Sequence, residues 1–194
     1  MNIEFRIACL IGLLFCASCS AQTPNTVIPL SSTDLTEPPQ ATPIGWKSFK
    51  GAGYILSYPS DWYAYQPPHD ASEASSVAYD LILSDKPGNQ SPQGATLDEQ
   101  ARVTIWYILK PAQTLESWVV EKWAWMNTDI HSVSFGGRDA LSASLETSDP
   151  PLYDVYYWVE IGDYIYIIQA YSRSDLATKL GQTQTIIDSL VFER

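Results

Sequence analysis

Tyr153-Asp-Val-Tyr-Tyr-Trp-Val-Glu-Ile161, then Gly162-Asp163, then Tyr164-Ile-Tyr-Ile-Ile-Gln-Ala-Tyr171 is the stretch that decides the fold. Two runs rich in aromatic and β-branched residues flank a two-residue Gly-Asp loop, the pattern of a β-hairpin. Residues opposite one another across such a turn share a face. One face reads Val155, Tyr157, Val159, Ile161, Tyr164, Tyr166 and Ile168, and belongs in a core. The other mixes Asp154, Tyr156, Trp158, Glu160, Ile165, Ile167, Gln169 and Tyr171. Two readings of that mixed face stay open. Either a helix covers it, or it is a partly open aromatic surface for a protein or a glycan, presenting Tyr156, Trp158 and Tyr171.

Outward from this hairpin the same alternation recurs. Gly53–Tyr58, Trp62–Tyr65, Val77–Leu83 and Arg102–Leu109 read as strands, and Ile130–Phe135 and Asp139–Leu145 flank a Gly136-Gly137 turn. Helical spacing appears twice. Thr114 is placed to cap Leu115–Asn127, whose Leu115, Trp118, Val119, Trp123 and Met126 fall near one side. Ser172 or Ser174 is placed to cap Asp175–Ser189, with Leu176, Leu180 and Ile187 inward, and a short strand Leu190–Glu193 follows. Hairpins with helices between them predict an α+β domain on an antiparallel sheet.

The segment Gly53-Tyr-Ile-Leu-Ser-Tyr-Pro-Ser-Asp-Trp62 resembles the opening of PsbP-like lipoproteins, and Ile186-Ile-Asp-Ser-Leu-Val-Phe192 is similar to their closing helix-to-strand segment. The likeness covers residues 46–194. It implies a three-layer α/β/α sandwich around a twisted antiparallel sheet, in a fold whose members are mostly binding proteins. It carries over no functional residue. Read physically, Pro59 cannot donate to a ladder, Ser60 and Asp61 favour a turn, and Trp62 drops onto the core.

The N-terminus has another character. Ile7–Ala17 is an uncharged apolar run of eleven residues, about 16 Å as a helix against a hydrocarbon thickness of ~30 Å. Its length matches the apolar region of a secretory signal. All three cysteines, Cys9, Cys16 and Cys19, precede residue 20. Cys16-Ala-Ser-Cys19 resembles the lipobox of bacterial lipoprotein precursors, with Cys16 where the pattern usually has Leu. That resemblance implies cleavage after Ser18 and lipid attachment at Cys19, with two or three acyl chains as a firm anchor. The alternatives are an ordinary signal cleaved near Ala21 and an uncleaved core helix. The chain thus divides into a signal (1–18), a Pro/Thr/Ser-rich tether (19–45) and a domain (46–194). The tether, half Pro, Thr or Ser from Ser20 to Gly45, reaches ~30 Å as coil and up to ~80 Å as polyproline II.

With 11 Lys and Arg against 22 Asp and Glu, the net charge is −11. No basic cluster is present, which excludes a nucleic-acid partner. The domain has no phosphate loop, nucleophile elbow or Cys-x-x-Cys. His69 lies in a turn, and His131 opens a strand beside Asp129. Asp70, Glu73, Asp80 and Asp85 lack calcium-loop spacing and offer at most a loose cation contact. The expectation is therefore a lipid-anchored extracytoplasmic binding protein, without catalysis, metal or cofactor. Its partners are the membrane, through the lipid, and an envelope protein complex. The alternatives are a small-ligand or glycan-binding lipoprotein and a degenerate hydrolase.

Overall fold

The computed structural model describes residues 42–68, 77–87 and 99–193. The signal, Cys19, nearly all of the tether, His69, Asp70 and Glu73 lie outside them. The described chain is an α+β domain of two antiparallel sheets and two helices.

The decisive hairpin forms as its sequence dictates. Strands β8 (Pro151–Ile161) and β9 (Tyr164–Arg173) pair with Ile161 opposite Tyr164 and Val155 opposite Ala170. Gly162 takes φ +58°, the positive value that the first position of a type II′ turn needs. Around this pair a seven-stranded sheet assembles. It adds β3 (Tyr63–Tyr65), β4 (Val77–Ser84), β5 (Ala101–Leu109), β6 (His131–Phe135) and β7 (Arg138–Ser148), in the order β3-β4-β5-β9-β8-β7-β6. Gly136 and Gly137, both at positive φ, turn β6 into β7. The second sheet orders β1 (Trp46–Lys50), β2 (Tyr54–Pro59) and β10 (Val191–Phe192) as β1-β2-β10.

The alternation of side chains separates two cores. On one face of the large sheet, Leu81, Val103, Ile105, Val155, Val159 and Ile168 pack with Tyr54, Leu56 and Phe192 of the small sheet and with Ile186 and Ile187 of α2 (Ala177–Asp188). On the other face Leu141, Ala143, Tyr156, Trp158, Ile165 and Ile167 pack with Trp118 and Val119 of α1 (Leu115–Trp123). At the expected ~25 cal/mol per Å² of apolar area, these interleaved faces supply the main stabilising term.

Three differences from the sequence reading have local causes. Helix α1 stops at Trp123 and tightens into a 3-10 turn, Ala124–Met126, closed by Asn127 at φ +47°. Helix α2 starts at Ala177, and neither serine caps it. Ser172 is buried within β9, the Ser174 amide donates to the Pro151 carbonyl, and the Asp175 carboxylate is held by the Arg173 guanidinium at 2.8 and 3.0 Å. Strand β1 carries no strand signal in its sequence. Trp46 and Phe49 lie three residues apart, a spacing without the period-2 signature of a strand.

Candidate binding site

Helix α1 is the element that shapes the site. The Thr114 hydroxyl oxygen accepts the Ser117 amide at 3.3 Å and fixes the first turn, and buried Trp118, Val119 and Met126 press the helix onto the sheet. Leu141 supports that packing from β7. Beyond it, the first turn of α1 stands apart from β6 and β7. The groove left between them encloses about 830 Å³ and is walled by Thr114, Leu115 and Glu116 on one side and Ser132, Ser134 and Asp139 on the other.

The charge of this groove is lopsided. Of its lining charges, Glu160 is paired with Lys110, and the one cation, Arg138, donates to the Glu193 carbonyl at 3.1 Å. Glu116 and Asp139 have no ion-pair partner among the described residues. A second, smaller cavity of about 320 Å³ lies on the α2 side of β6. It is lined by Val133, Phe135, Tyr157 and Ile187, with Asp188 at its rim. β6 therefore divides two recesses, one acidic and one aromatic.

The residues singled out from the hairpin lie elsewhere. Trp158 is 0% exposed, Tyr156 6% and Tyr171 8%, so these three side chains do not form an open aromatic surface. For Tyr156 and Trp158 the physical reason is Trp123 at the end of α1, whose ring sits 5.0 Å from that of Tyr156 and 5.2 Å from that of Trp158, whereas Tyr171 lies beside Glu99 and Arg102. Helix α1 covers the part of the mixed face that carries Tyr156, Trp158, Ile165 and Ile167.

The polar groups of that face form a bonded set. The Gln169 amide nitrogen donates to both Asp154 oxygens, at 3.0 and 3.2 Å, and to the Tyr156 hydroxyl at 2.7 Å. Burial pushes the Asp154 carboxyl up to about 6, against the lowering effect of its bonds to Gln169 and Tyr156. Burial, then the Asp154 charge, pushes the Tyr156 hydroxyl upward. Nearby, Arg102 and Glu99 form a buried ion pair at 3.0 Å. Burial, then the Glu99 charge, raises Tyr171. Neither recess beside β6 is lined by this set.

The acids weighed as cation ligands are engaged in the fold where they are described. A bulge between Tyr79 and Leu81 turns Asp80 inward, where it accepts the Ala52 amide at 3.2 Å. Gly51 permits this approach, since a Cβ there would collide with the Tyr54 ring and the Asp80 carboxylate. Asp85 accepts the amides of Gln100 and Ala101 and pairs with Lys179 at 3.1 Å. Among the described residues no group of three or more His, Cys, Asp or Glu could hold a metal ion. Asp61 is an exposed turn residue, and His131 lies exposed at the start of β6. No described helix is long and apolar enough to cross a membrane.

No protein-family model matches the sequence, and no curated protein matches it. Solved structures do. The solution structure of cyanobacterial PsbP (CyanoP) from Synechocystis sp. PCC 6803 aligns at a TM-score of 0.51 and 11% identity, over 79% of this chain and 95% of that one. LpqN from Mycobacterium tuberculosis, described as involved in cell envelope biogenesis, aligns at 0.47 and 12% identity, over 77% and 91%. A protein from Bacteroides thetaiotaomicron VPI-5482 aligns at 0.47 and 11% identity, over 78% of this chain, which spans about half of that longer one. The chain has a PsbP-like fold.

Proposed function

We propose that this chain is an extracytoplasmic binding protein, held to a bacterial membrane by lipid on Cys19 and acting without catalysis in support of an envelope protein complex. In this reading the domain is a three-layer sandwich, with α1 on one side of the large sheet and α2 with the small sheet on the other. The single observation that carries the binding role is the groove of about 830 Å³ between α1 and β6–β7. It is open and lopsided in charge, and one of its walls is the last strand of a sheet. The lipobox-like Cys16–Cys19 segment supports the anchor, and the tether composition supports a domain standing off the surface.

Two experiments test this. Mass spectrometry of the mature N-terminus should find a diacylated Cys19, and Cys19→Ala should move the protein from the membrane to the soluble fraction. An unmodified start at Gln22 would refute the anchor. A photo-crosslinking residue at Ser132 should give one discrete adduct in intact cells, while the same residue at exposed Tyr63 should not. Equal labelling from both positions would remove the support for a docking site at the groove.

A further inference from the structure

Among the described residues, strand β6 is an edge of the seven-stranded sheet, bonded on one side only, to β7. A two-residue turn makes Phe135 and Arg138 a hydrogen-bonded pair, so Val133 and His131 also point their backbone groups at β7. The N–H and C=O of Ser132 and Ser134 then face outward. Edge strands are commonly guarded by proline, by charge or by shortness. β6 reads His-Ser-Val-Ser-Phe, without proline or an acidic or Lys/Arg residue, and spans five residues.

From these features we propose that an extended segment of a basic partner protein adds to the sheet beside β6, a mode that deepens the binding role above and rests on it. A strand laid there would continue the pleat and send its side chains alternately to the two sides. Both sides hold a recess. One carries three acids, Glu116, Asp139 and the Lys110-paired Glu160, against one cation, Arg138, whose guanidinium is turned to the Glu193 carbonyl, and the other is lined by Val133, Phe135, Tyr157 and Ile187 with Asp188. The matching segment alternates Lys or Arg with large apolar residues. Main-chain bonds to Ser132 and Ser134 supply affinity, and the two recesses supply selectivity. Charge decides against a second copy of this chain. Each copy carries −11, and antiparallel pairing of two β6 strands would bring two acidic grooves together.

The test uses the full chain in a non-ionic detergent and a synthetic nonapeptide alternating lysine with isoleucine and phenylalanine. Amide hydrogen exchange at Ser132 and Ser134 should be fast without peptide and slow at least tenfold with it. Glutamate in place of lysine should weaken binding at least tenfold. Ser134→Pro, which removes an outward N–H and no bond to β7, should do the same at an unchanged melting temperature. Should that variant unfold, N-methylating every second peptide amide asks the same question of intact protein. Binding without slowed exchange at the two serines would overturn the proposal, as would equal affinity for both peptides or no binding at all. Slow exchange before any peptide is added would show the edge already occupied, by a second copy or by the chain's own N-terminal segment, and would overturn it too. Failure here together with a discrete adduct at Ser132 in cells would leave the binding role standing and remove only strand addition.

Discussion

The two edges of the large sheet are built differently. At one, β3 is three residues long, entered through Pro59 and the turn at Ser60-Asp61 and left through Pro67-Pro68. Buried Trp62 nails its start to the core beneath the Lys179 ammonium, 5.8 Å from the ring. At the other, β6 is longer and unguarded, with a recess on either side. It is anchored by Phe135, with Val133 half-buried beside it. Phe135 stacks on Tyr157 with centroids 4.1 Å apart and meets Phe192 edge-on at 6.2 Å. Among the described residues, one edge is closed by chain punctuation, and the other has no strand paired to its outer side.

This contrast can be attacked in order of expected effect. Trp62→Ala should cost about 4 kcal/mol by leaving a large cavity under β3, read by urea unfolding. Amide exchange over Tyr63–Tyr65 should rise with it, while β6 stays as it was. Phe135→Ala should cost about 3 kcal/mol and loosen β6 in its turn. A Phe135 loss under about 1 kcal/mol would mean that β6 is not held by its stack.

Inward from β6, the pH dependence of stability tests the covered face. Burial holds Asp154 at about 6 in the folded chain against an ordinary 3.8, so the folded state keeps this proton to a higher pH than the unfolded chain. On this group's account, stability falls as pH rises from about 4 to about 6 and is level above. Asp154→Asn should therefore gain of order 2 kcal/mol at pH 7 and much less at pH 4, measured by unfolding at both. Thr114→Ala should cost about 1 kcal/mol by uncapping α1. It should also speed exchange in the helix's first turn, the wall facing β6, without touching β3.

Hairpins and the α1 face were legible because their signals are local. Gly136-Gly137 and Gly162-Asp163 each demand a turn, and Trp118, Val119 and Met126 lie at helical spacing. Strand β1 escaped because Trp46 and Phe49 break the period. The start of α2 escaped because Arg173 takes up Asp175, a pairing that propensity does not register. The alternation of the hairpin assigns its two faces as the register shows them, and the cover for Tyr156 and Trp158 is already in the sequence as Trp123. What sequence spacing could not show was where Trp123 lands: on Tyr156 and Trp158, more than thirty residues away. The groove was illegible for a similar reason. It joins Glu116 to Asp139 through a strand order that no stretch of sequence states, and the edge status of β6 exists only once all seven strands have found their places.

The most direct test of the account is hydrogen exchange of the protein in its native membranes, set against the purified chain. Slower exchange over His131–Phe135 in the membranes, with Tyr63–Tyr65 alike in both states, is the predicted result. Equal exchange over His131–Phe135 in the two states would contradict it.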